Sequence, residues 1–458
     1  TQSGARAASS HTGSLAGSAK AFGCVFSQSG VQRAGSIQDM FDFAVAFAYQ
    51  PAPPGPAVTM LTNSGGPGVM AADAVERSSL RLTGLDKQTI DRLREALPRN
   101  AALYNPVDII GDSGAKRYEA ALHIIMEDPN TDAVVVILTP VAMSRAEEIA
   151  DMLVSNRGRF DGKTVFAVFM GGASVEEGSR KLLANGIPCF PNPERAVAAL
   201  DVMHRYSRWR KAPEPEMRTF DVNRDHVREV LDKARKQGMT ELGEMDARDV
   251  IESYGFRLPR SIVASTAKSV LRNADDIGYP LVMKIVSPDI LHKSDFGGVK
   301  LGIGSGEDAL TAYHDMRTRA RRLLPDAAVR GVAMQEYIAG GKEVILGMSR
   351  DPQFGPMLMF GLGGIYVEVL KDVSFRIAPL SVQDAREMVH EIRSYPLLTG
   401  VRGEKPADID GIVDSLLRLS QLVTDFPEIV EMDINPLKVF PKGEGVMALD
   451  ARLTLEGE

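Results

Sequence analysis

Between about residues 57 and 210, short apolar runs alternate with helical stretches, and this alternation constrains the fold more than any other feature of the sequence. The apolar runs are AVTMLT (57–62), DAVVVILT (132–139), KTVFAVFM (163–170) and the shorter IPCF (187–190). Helical patterns such as AEEIADMLVSN (146–156) separate them. Strands that alternate with helices of about ten residues or more are typical of a parallel sheet. We therefore predict an α/β domain that closes with the helix PERAVAALDVMHRYSRWR (193–210).

From about residue 240 the pattern changes. The amphipathic stretch MDARDVIESYG (245–255) is followed by PLVMKIV (280–286), GVKLGI (298–303), GVAMQEYI (331–338) and KEVILGMSR (342–350). These strand-like runs follow one another and do not alternate strictly with helices. The pattern predicts a second domain of α+β type that binds a nucleotide.

Proline-rich segments mark the predicted boundaries. PAPPGP (51–56) separates residues 1–50 from the α/β domain at 57–210, because consecutive prolines cannot continue a helix. KAPEPE opens a predicted linker over 211–238, and the α+β domain follows at 239–458. Residues 1–50 begin with a Gly/Ser-rich stretch that has no initiator Met and is typical of the middle of a domain. We therefore expect a fragment or a processed product.

Charge and apolar content exclude several classes of protein. The net charge is -7, and the 53 Lys and Arg residues are dispersed among 60 Asp and Glu, so neither nucleic acid nor an anionic membrane is the expected partner. No apolar run approaches the roughly 18 residues of a membrane span. Cys24 and Cys189 are far apart in apolar contexts, which predicts buried thiols in a reducing compartment. We expect a cytoplasmic protein.

Two histidines lie in loops with unusual composition. His11 stands in SSHTGSLAG (9–17), where small hydroxyl residues and glycines leave backbone N–H groups accessible to a phosphate, and a histidine of this kind can attack phosphorus. His292 stands in SPDILHKSDFGGVKLGI (287–303), beside Lys293 and ahead of two glycines. Ordinary surface turns remain an alternative for both segments.

Other residues are suited to a nucleotide and a metal ion. Lys284 lies in a strand-like run and can neutralise a phosphate, QEYI (335–338) offers backbone groups to an adenine edge, and Glu343 can hold a ribose or a metal. Any strand can carry such residues. We predict that IVEMDINPLKVF (429–440) and VMALDARL (446–453) form two neighbouring strands, each ending in an acid or amide, which are hard oxygen donors of the kind that Mg²⁺ prefers. An ordinary hairpin with polar ends is the alternative for that pair. The donors are Asp433, Asn435 and Asp450.

The turn TNSGGPGVMAADAVE (62–76) contains Gly65 and Gly66 between a strand and a helix, and NPVDIIGD (105–112) is a second polar turn at a predicted strand end. The first lacks the Lys-Ser/Thr of a Walker A motif. Together the two turns indicate only that a ligand crevice is possible at this edge of the sheet.

In this order the motifs resemble those of the NDP-forming acyl-CoA synthetases, relatives of succinyl-CoA synthetase, over nearly the whole chain. SHTGSLAG resembles the phosphohistidine loop of the family's second, flavodoxin-like domain. TNSGGPGVMAADA and NPVDIIGD resemble its third domain, also flavodoxin-like. SPDILHKSDFGGV, QEYIAGGKEVILG, GLGGIYVEVLKD and EMDINPL resemble its ATP-grasp domain. The implied fold class is α/β multidomain, with flavodoxin-like parallel-sheet domains followed by a C-terminal ATP-grasp domain.

The resemblance assigns roles to single residues. His11 is expected to take phosphate from an acyl phosphate, and His292 to relay it to ADP. Gly65 and Gly66 are expected to lie in a loop that faces the phosphohistidine region. The remaining positions are metal ligands (Asn435 and Asp450), the acidic position beside them (Asp433) and nucleotide contacts (Lys284, Glu336, Ile338 and Glu343).

The implied reaction is acid + CoA + ATP ⇌ acyl-CoA + ADP + phosphate, through acyl phosphate and phosphohistidine, with Mg²⁺ as cofactor. The expected partners are a small carboxylic acid, CoA and an adenine nucleotide, in a homo- or hetero-oligomer. The family's CoA-binding domain has no counterpart in this sequence. We expect it upstream in a longer chain or on a separate subunit.

Two alternatives stay open. One is a non-catalytic acyl-CoA-sensing module like that of acetyltransferase-type relatives, although no acetyltransferase domain follows Leu455 and both histidines are present. The other is a CoA-dependent lyase that uses the same ligase step on an unusual acid. Neither the acid nor a preference for ADP over GDP can be read from the sequence.

Overall fold

The structure is a computed structural model that describes residues 19–141, 144–160, 162–287, 290, 297–363, 367, 370–401 and 403–457. It divides into two compact units, Ser29–Pro213 and Thr1–Gln28 together with Glu214–Glu458. We call them the parallel-sheet unit and the antiparallel-sheet unit. Among the described helices, none is both long enough and apolar enough to cross a membrane.

The elements up to residue 211 are α1 (Ala19–Ser29), α2 (Ile37–Tyr49), β1 (Ala57–Thr62), α3 (Gly65–Glu76), β2 (Arg81–Leu82), α4 (Lys87–Ala96), β3 (Val107–Asp108), α5 (Ala115–Met126), β4 (Ala133–Leu138), α6 (Ala146–Asn156), β5 (Thr164–Phe169), α7 (Glu176–Ala184), β6 (Cys189–Phe190) and α8 (Pro193–Lys211).

The later elements are α9 (Arg224–Lys236), α10 (Glu244–Ser253), β7 (Ser261–Ala264), α11 (Ala267–Ile277), β8 (Leu281–Val286), β9 (Val299–Ile303), α12 (Gly306–Leu323), β10 (Gly331–Glu336), β11 (Lys342–Asp351), β12 (Gly355–Leu362), β13 (Val373–Ile377), α13 (Val382–Glu391), α14 (Tyr395–Leu398), α15 (Ile409–Asp425), β14 (Ile429–Val439), β15 (Val446–Ala448) and β16 (Ala451–Leu455).

The parallel-sheet unit has the strand order β2-β1-β4-β5-β6, with β3 also paired to β1. Every residue of β1, β4 and β5 is buried, as expected for parallel strands covered by helices on both faces. Val134 and Val136 belong to the core on one face, and Val135 and Ile137 to the core on the other, because successive side chains of a strand point to opposite sides. The predicted α/β domain with a parallel sheet is confirmed.

Helix α2 begins directly after Ser36, a residue type that commonly caps the start of a helix. The Ser36 side chain accepts a hydrogen bond of 3.0 Å from the Asp39 N–H and so caps the first turn. One turn further on, the Asp42 carboxylate is bound by both Nε and Nη2 of Arg195 at 2.6 Å. This buried ion pair ties α2 to α8.

The antiparallel-sheet unit contains two sheets. The small sheet has the order β7-β10-β8-β9, and the large sheet β13-β12-β11-β14-β15, with β16 also paired to β14. Helices α11 and α12 cover one face of the small sheet. The core of the large sheet lies on the face that carries Val344, Leu346 and Ile434. The α+β expectation for this half of the chain is confirmed.

The sequence analysis predicted a linker over 211–238, but part of this segment is helical. Residues Arg224–Lys236 form α9, which the polar composition of the segment concealed. Val227, Val230 and Leu231 recur at helical spacing and pack into the core of the large sheet. The irregular segment therefore ends before Arg224.

Helix α1 packs within the antiparallel-sheet unit. Ala21 and Cys24 are buried against Met357 of β12. The Gln28 amide donates to the Ile377 carbonyl at 3.0 Å and accepts from the Ile377 N–H at 2.9 Å, which satisfies the edge of β13. Residues 1–50, predicted to be part of one domain, thus contribute α1 to one compact unit and α2 to the other.

Candidate nucleotide and metal site

Lys284 lies on β8 where the small sheet meets the large one. Its Nζ is 3.3 Å from Glu244 Oε1 and 3.5 Å from Asp450 Oδ2, and it donates to the Leu449 carbonyl at 3.1 Å. The side chain is only 9% exposed. A buried ammonium needs such partners, because the loss of hydration is costly. The strand therefore presents a single positive charge to the space between the sheets.

The predicted metal ligands come together on the large sheet. Asp433 and Asn435 lie on the same face of β14, because residues two positions apart on a strand point to the same side. The Asn435 N–H donates to the Asp450 carbonyl at 3.2 Å. Asp433 and Asn435 lie within β14, whereas the sequence analysis placed them at a strand end.

Burial raises the pKa of Asp433 to about 6. Arg452 opposes the rise, and the negative charges of Asp450 and Glu431 add to it. Several acidic side chains therefore lie close together in a half-buried region, where a bound cation would reduce their mutual repulsion.

These residues fit Mg²⁺ bound together with a nucleotide. In the part of the chain that the structure describes, no three His, Cys, Asp or Glu side chains surround a common metal position. A nucleotide-bound Mg²⁺ takes most of its six oxygens from phosphate and water, so one carboxylate and one amide suffice. Asp450 and Asn435 are the predicted residues that could supply those two donors.

The other predicted nucleotide contacts lie on or beside β10 and β11. Glu336 is the last residue of β10 and is exposed, and Ile338 follows it half-buried. Glu343 lies on β11 with its side chain 54% exposed, and its carboxylate is 3.7 Å from Lys438 Nζ. None of the three contacts Lys284 through a described hydrogen bond or ion pair. Their role stays a prediction.

Sequence reasoning missed several polar groups at the junction of the sheets. Gln335 lies opposite Ser261, and Lys284 opposite Ala333, so Gln335, Ser261 and Lys284 share one face of the small sheet. Among the described residues, Gln335 Oε1, Ser261 Oγ and Arg248 Nη1 are buried without a hydrogen-bond partner. Unsatisfied buried groups are costly, so these three atoms are available to form hydrogen bonds with a ligand or water at the junction.

Two cavities open on this side of the large sheet, one beside Asp433 and one beside Asp450. One of about 330 Å³ is lined by Asp433, Arg452 and Gly347, which lie side by side on three adjacent strands. A smaller one of about 80 Å³ is lined by Glu244, Asp450 and Ile290. Ile290 precedes His292 by two positions in the sequence.

In the parallel-sheet unit, Gly65 and Gly66 are the first residues of α3. A Cβ on Gly66 would meet no atom within 4 Å, and one on Gly65 only Asp108 Oδ2 at 3.5 Å, so this helix start is open. The Asn63 amide bridges β1 to β4 through Thr139. Free N–H groups of a first helical turn can bind an anion, although Pro67 contributes none.

The two predicted phosphohistidines lie outside the described residues. His11 falls in 1–18 and His292 in 291–296.

Three models of known protein families match successive parts of the chain. Residues 1–47 match a model for a succinyl-CoA ligase like flavodoxin domain, residues 58–213 a Ligase-CoA domain, and residues 233–455 an ATP-grasp domain.

The chain is 47% identical over 461 residues to acetate–CoA ligase [ADP-forming] I of Archaeoglobus fulgidus, covering 100% of this chain and 65% of the relative. It is 37% identical to 4-hydroxybutyrate–CoA ligase [ADP-forming] of Nitrosopumilus maritimus, covering 99% and 64%. The chain thus spans about two thirds of the length of these relatives.

Half-length relatives match as well. The beta subunit of acetate–CoA ligase [ADP-forming] II of Pyrococcus furiosus is 47% identical over 229 residues, or 50% of this chain and 97% of the subunit. The crystal structure of PH1788 from Pyrococcus horikoshii superposes with a TM-score of 0.50 at 43% identity, covering 52% of this chain and 100% of that one. Some relatives are therefore divided into separate alpha and beta subunits, whereas this chain contains the corresponding domains in one polypeptide. The chain belongs to the family of ADP-forming acetate– and acyl–CoA ligases.

Proposed function

We propose that this chain carries the phosphoryl-transfer half of an ADP-forming acyl-CoA ligase, which catalyses acid + CoA + ATP ⇌ acyl-CoA + ADP + phosphate. The observation that carries the proposal is the position of Lys284, a buried ammonium between Glu244 and Asp450 where the two antiparallel sheets meet. The acids and thiols named for the relatives support the reaction class.

In the nucleotide half-reaction, Lys284 offsets the charge of the phosphates. Asn435 and Asp450 would hold Mg²⁺, which would supply further neutralisation of the phosphate charge. A ring nitrogen of neutral His292 attacks the γ-phosphorus, so that a P–N bond forms, the bond from phosphorus to the β–γ bridging oxygen breaks, and ADP leaves. Arg452 lies in the cavity beside Asp433, where a positive charge can stabilise the transferred group.

In the acyl half-reaction, the phosphoryl group passes from His292 to His11. A substrate carboxylate then attacks the phosphorus of phospho-His11, which breaks the P–N bond and gives an acyl phosphate. The CoA thiolate attacks the acyl carbon and releases inorganic phosphate. Two histidines divide a long transfer into short in-line displacements. The open helix start at Gly65 and Gly66 is the proposed place for a substrate anion.

CoA is bound by a domain supplied in the same polypeptide or by a separate subunit, and the complete enzyme is an oligomer. The reaction takes place in the cytoplasm, where ATP and CoA are both available. The acid is a small carboxylate, and acetate, 4-hydroxybutyrate and ferulate are the first candidates because relatives are named for them or their CoA esters.

The test is a substrate panel with the complete protein, ATP, Mg²⁺ and CoA. We expect ADP, phosphate and acyl-CoA in equal amounts with at least one acid. Formation of AMP and pyrophosphate would contradict the proposal. Saturable acyl-CoA binding without any phosphoryl exchange would instead support a sensing module. Full acyl-CoA synthesis by both His11→Ala and His292→Ala variants would refute the phosphohistidine route.

A further inference from the structure

Glu244 has a position that neither the sequence motifs nor the proposed reaction explains. It is the first residue of α10, and its side chain is 3% exposed. Acidic residues are common in the first turn of a helix, but usually they face solvent there. Glu244 instead points into the junction between the sheets and contacts Lys284.

Charges of opposite sign alternate along this junction. The Glu244 carboxylate and the Asp450 carboxylate flank Lys284 at 3.3 Å and 3.5 Å. Arg248 lies one helical turn beyond Glu244, donates to the Pro259 carbonyl at 2.6 Å, and is 6% exposed. Asp450 is the more accessible of the two acids, with 27% of its side chain exposed. Lys284 therefore has one partner that is partly exposed and one that is almost fully buried.

We propose that Glu244 is a positioning residue that keeps the Lys284 ammonium in place when a divalent cation takes Asp450. This inference rests on the proposed nucleotide site. Without a metal ion, Lys284 is shared by both carboxylates. When Mg²⁺ binds Asp450, the two like charges of Mg²⁺ and Lys284 come close together. Glu244 then remains as the counter-charge of Lys284, which stays oriented toward the phosphates.

The inference predicts an effect on the metal dependence of binding. In Glu244→Gln the ammonium keeps only Asp450 as a charged partner, so Mg²⁺ must compete with it. We expect the half-saturating Mg²⁺ concentration for ADP binding to rise about tenfold, equivalent to about 1.4 kcal/mol. The affinity for ADP without Mg²⁺ should change less than about twofold, because Lys284 remains present and charged.

Calorimetric titration of the full chain with ADP, at a series of Mg²⁺ concentrations, measures both quantities. Asp246→Asn is the matched control, because Asp246 lies in the same helical turn and pairs with Lys233 at 3.5 Å. Glu244→Asp keeps the charge and should hold the Mg²⁺ requirement to within about threefold of wild type. If Glu244→Gln does not fold, Glu244→Ala, which removes the same charge, is the test variant, with the same direction of change expected.

A Mg²⁺ requirement of Glu244→Gln that rises no more than that of Asp246→Asn would overturn the inference. So would an equal loss of ADP affinity with and without Mg²⁺, which indicates a structural role only. If wild type itself binds no ADP at any Mg²⁺ concentration, the proposed nucleotide site is wrong, and the two failures are thereby distinguished.

Discussion

Replacing Lys284 with Met tests whether the junction of the two sheets is built around a buried cation. Methionine has a similar length and keeps the apolar stem, so the change removes mainly the charge. Glu244 and Asp450 would then face each other without the ammonium that lies 3.3 Å and 3.5 Å from them. We expect a loss of stability in the antiparallel-sheet unit and a loss of nucleotide affinity.

The magnitude follows from burial and distance. At an effective dielectric constant of about 20, each pair is worth about 5 kcal/mol before desolvation is subtracted. Removing one partner of a buried pair costs about 3–5 kcal/mol. Asp450 is 27% exposed, so water screens its interaction with Lys284. We therefore expect a loss of stability at the lower end of this range, about 3 kcal/mol.

Urea unfolding measures the effect, and the chain contains a useful internal control. Circular dichroism follows the whole chain, whereas Trp209, the single tryptophan, lies in the parallel-sheet unit. With a slope of roughly 1–3 kcal/mol per M, the transition of the antiparallel-sheet unit should move down by about 1 M or more. The Trp209 transition should stay in place.

Lys342→Met provides the matched comparison. Lys342 pairs with Glu404 at 2.6 Å, but Glu404 is 59% exposed, so water screens the pair and its loss should lower the stability far less than the loss of the Lys284 pairs. Mg²⁺ and ADP at about 100 times the dissociation constant should stabilise wild type by about 2.7 kcal/mol and Lys284→Met by much less. A Lys284→Met midpoint that moves no further than that of Lys342→Met would refute the reasoning.

Three further predictions concern the parallel-sheet unit, and Trp209 fluorescence reports each of them. Burial lowers the pKa of His204, so the unfolded chain binds more protons just below about pH 6.5. The unfolding free energy should therefore fall as the pH drops from about 6.5 toward the folded-state pKa, and a His204→Gln variant should lack this slope. Gly30 has φ +71°, and a Cβ there would come within 2.3 Å of the Trp209 ring, so Gly30→Val should cost about 2 kcal/mol or more and change the emission. An unchanged urea midpoint would contradict that. Asp42→Asn should cost about 2–3 kcal/mol, because it leaves the Arg195 guanidinium without its buried carboxylate, and a loss below about 0.5 kcal/mol would contradict it.

Much of the fold could be predicted because its local and long-range requirements agree. Continuous apolar runs such as DAVVVILT can be satisfied only between two helical layers, and the structure has β4 buried throughout. The Ser36 cap and the closing helix from Pro193 carry local signals that tertiary contacts did not override. Helix α9 was not predicted from the sequence, because its apolar residues are few and widely spaced among charged residues.

The site was harder to predict, because chain spacing does not show which side chains meet. Lys284 and Asp450 are 166 positions apart, and only the pairing of strands into two sheets brings them within 3.5 Å. The position of Glu244 in the site could not be predicted, since an acidic residue in the first turn of a helix is common at any surface. The sequence pattern around Arg248 is equally consistent with a residue of the site and with the polar face of an amphipathic helix.

The most direct test of the account is phosphoryl transfer from ATP to histidine. The protein is incubated with Mg²⁺ and ATP labelled at the γ-phosphate, and the labelled residues are then mapped. The account predicts label that is stable to base and lost in acid, carried by His292 and passed to His11, and absent from His292→Asn. A wild-type protein that binds Mg²⁺ and ADP but takes no label, or a His292→Asn variant labelled as fully as wild type, would contradict it.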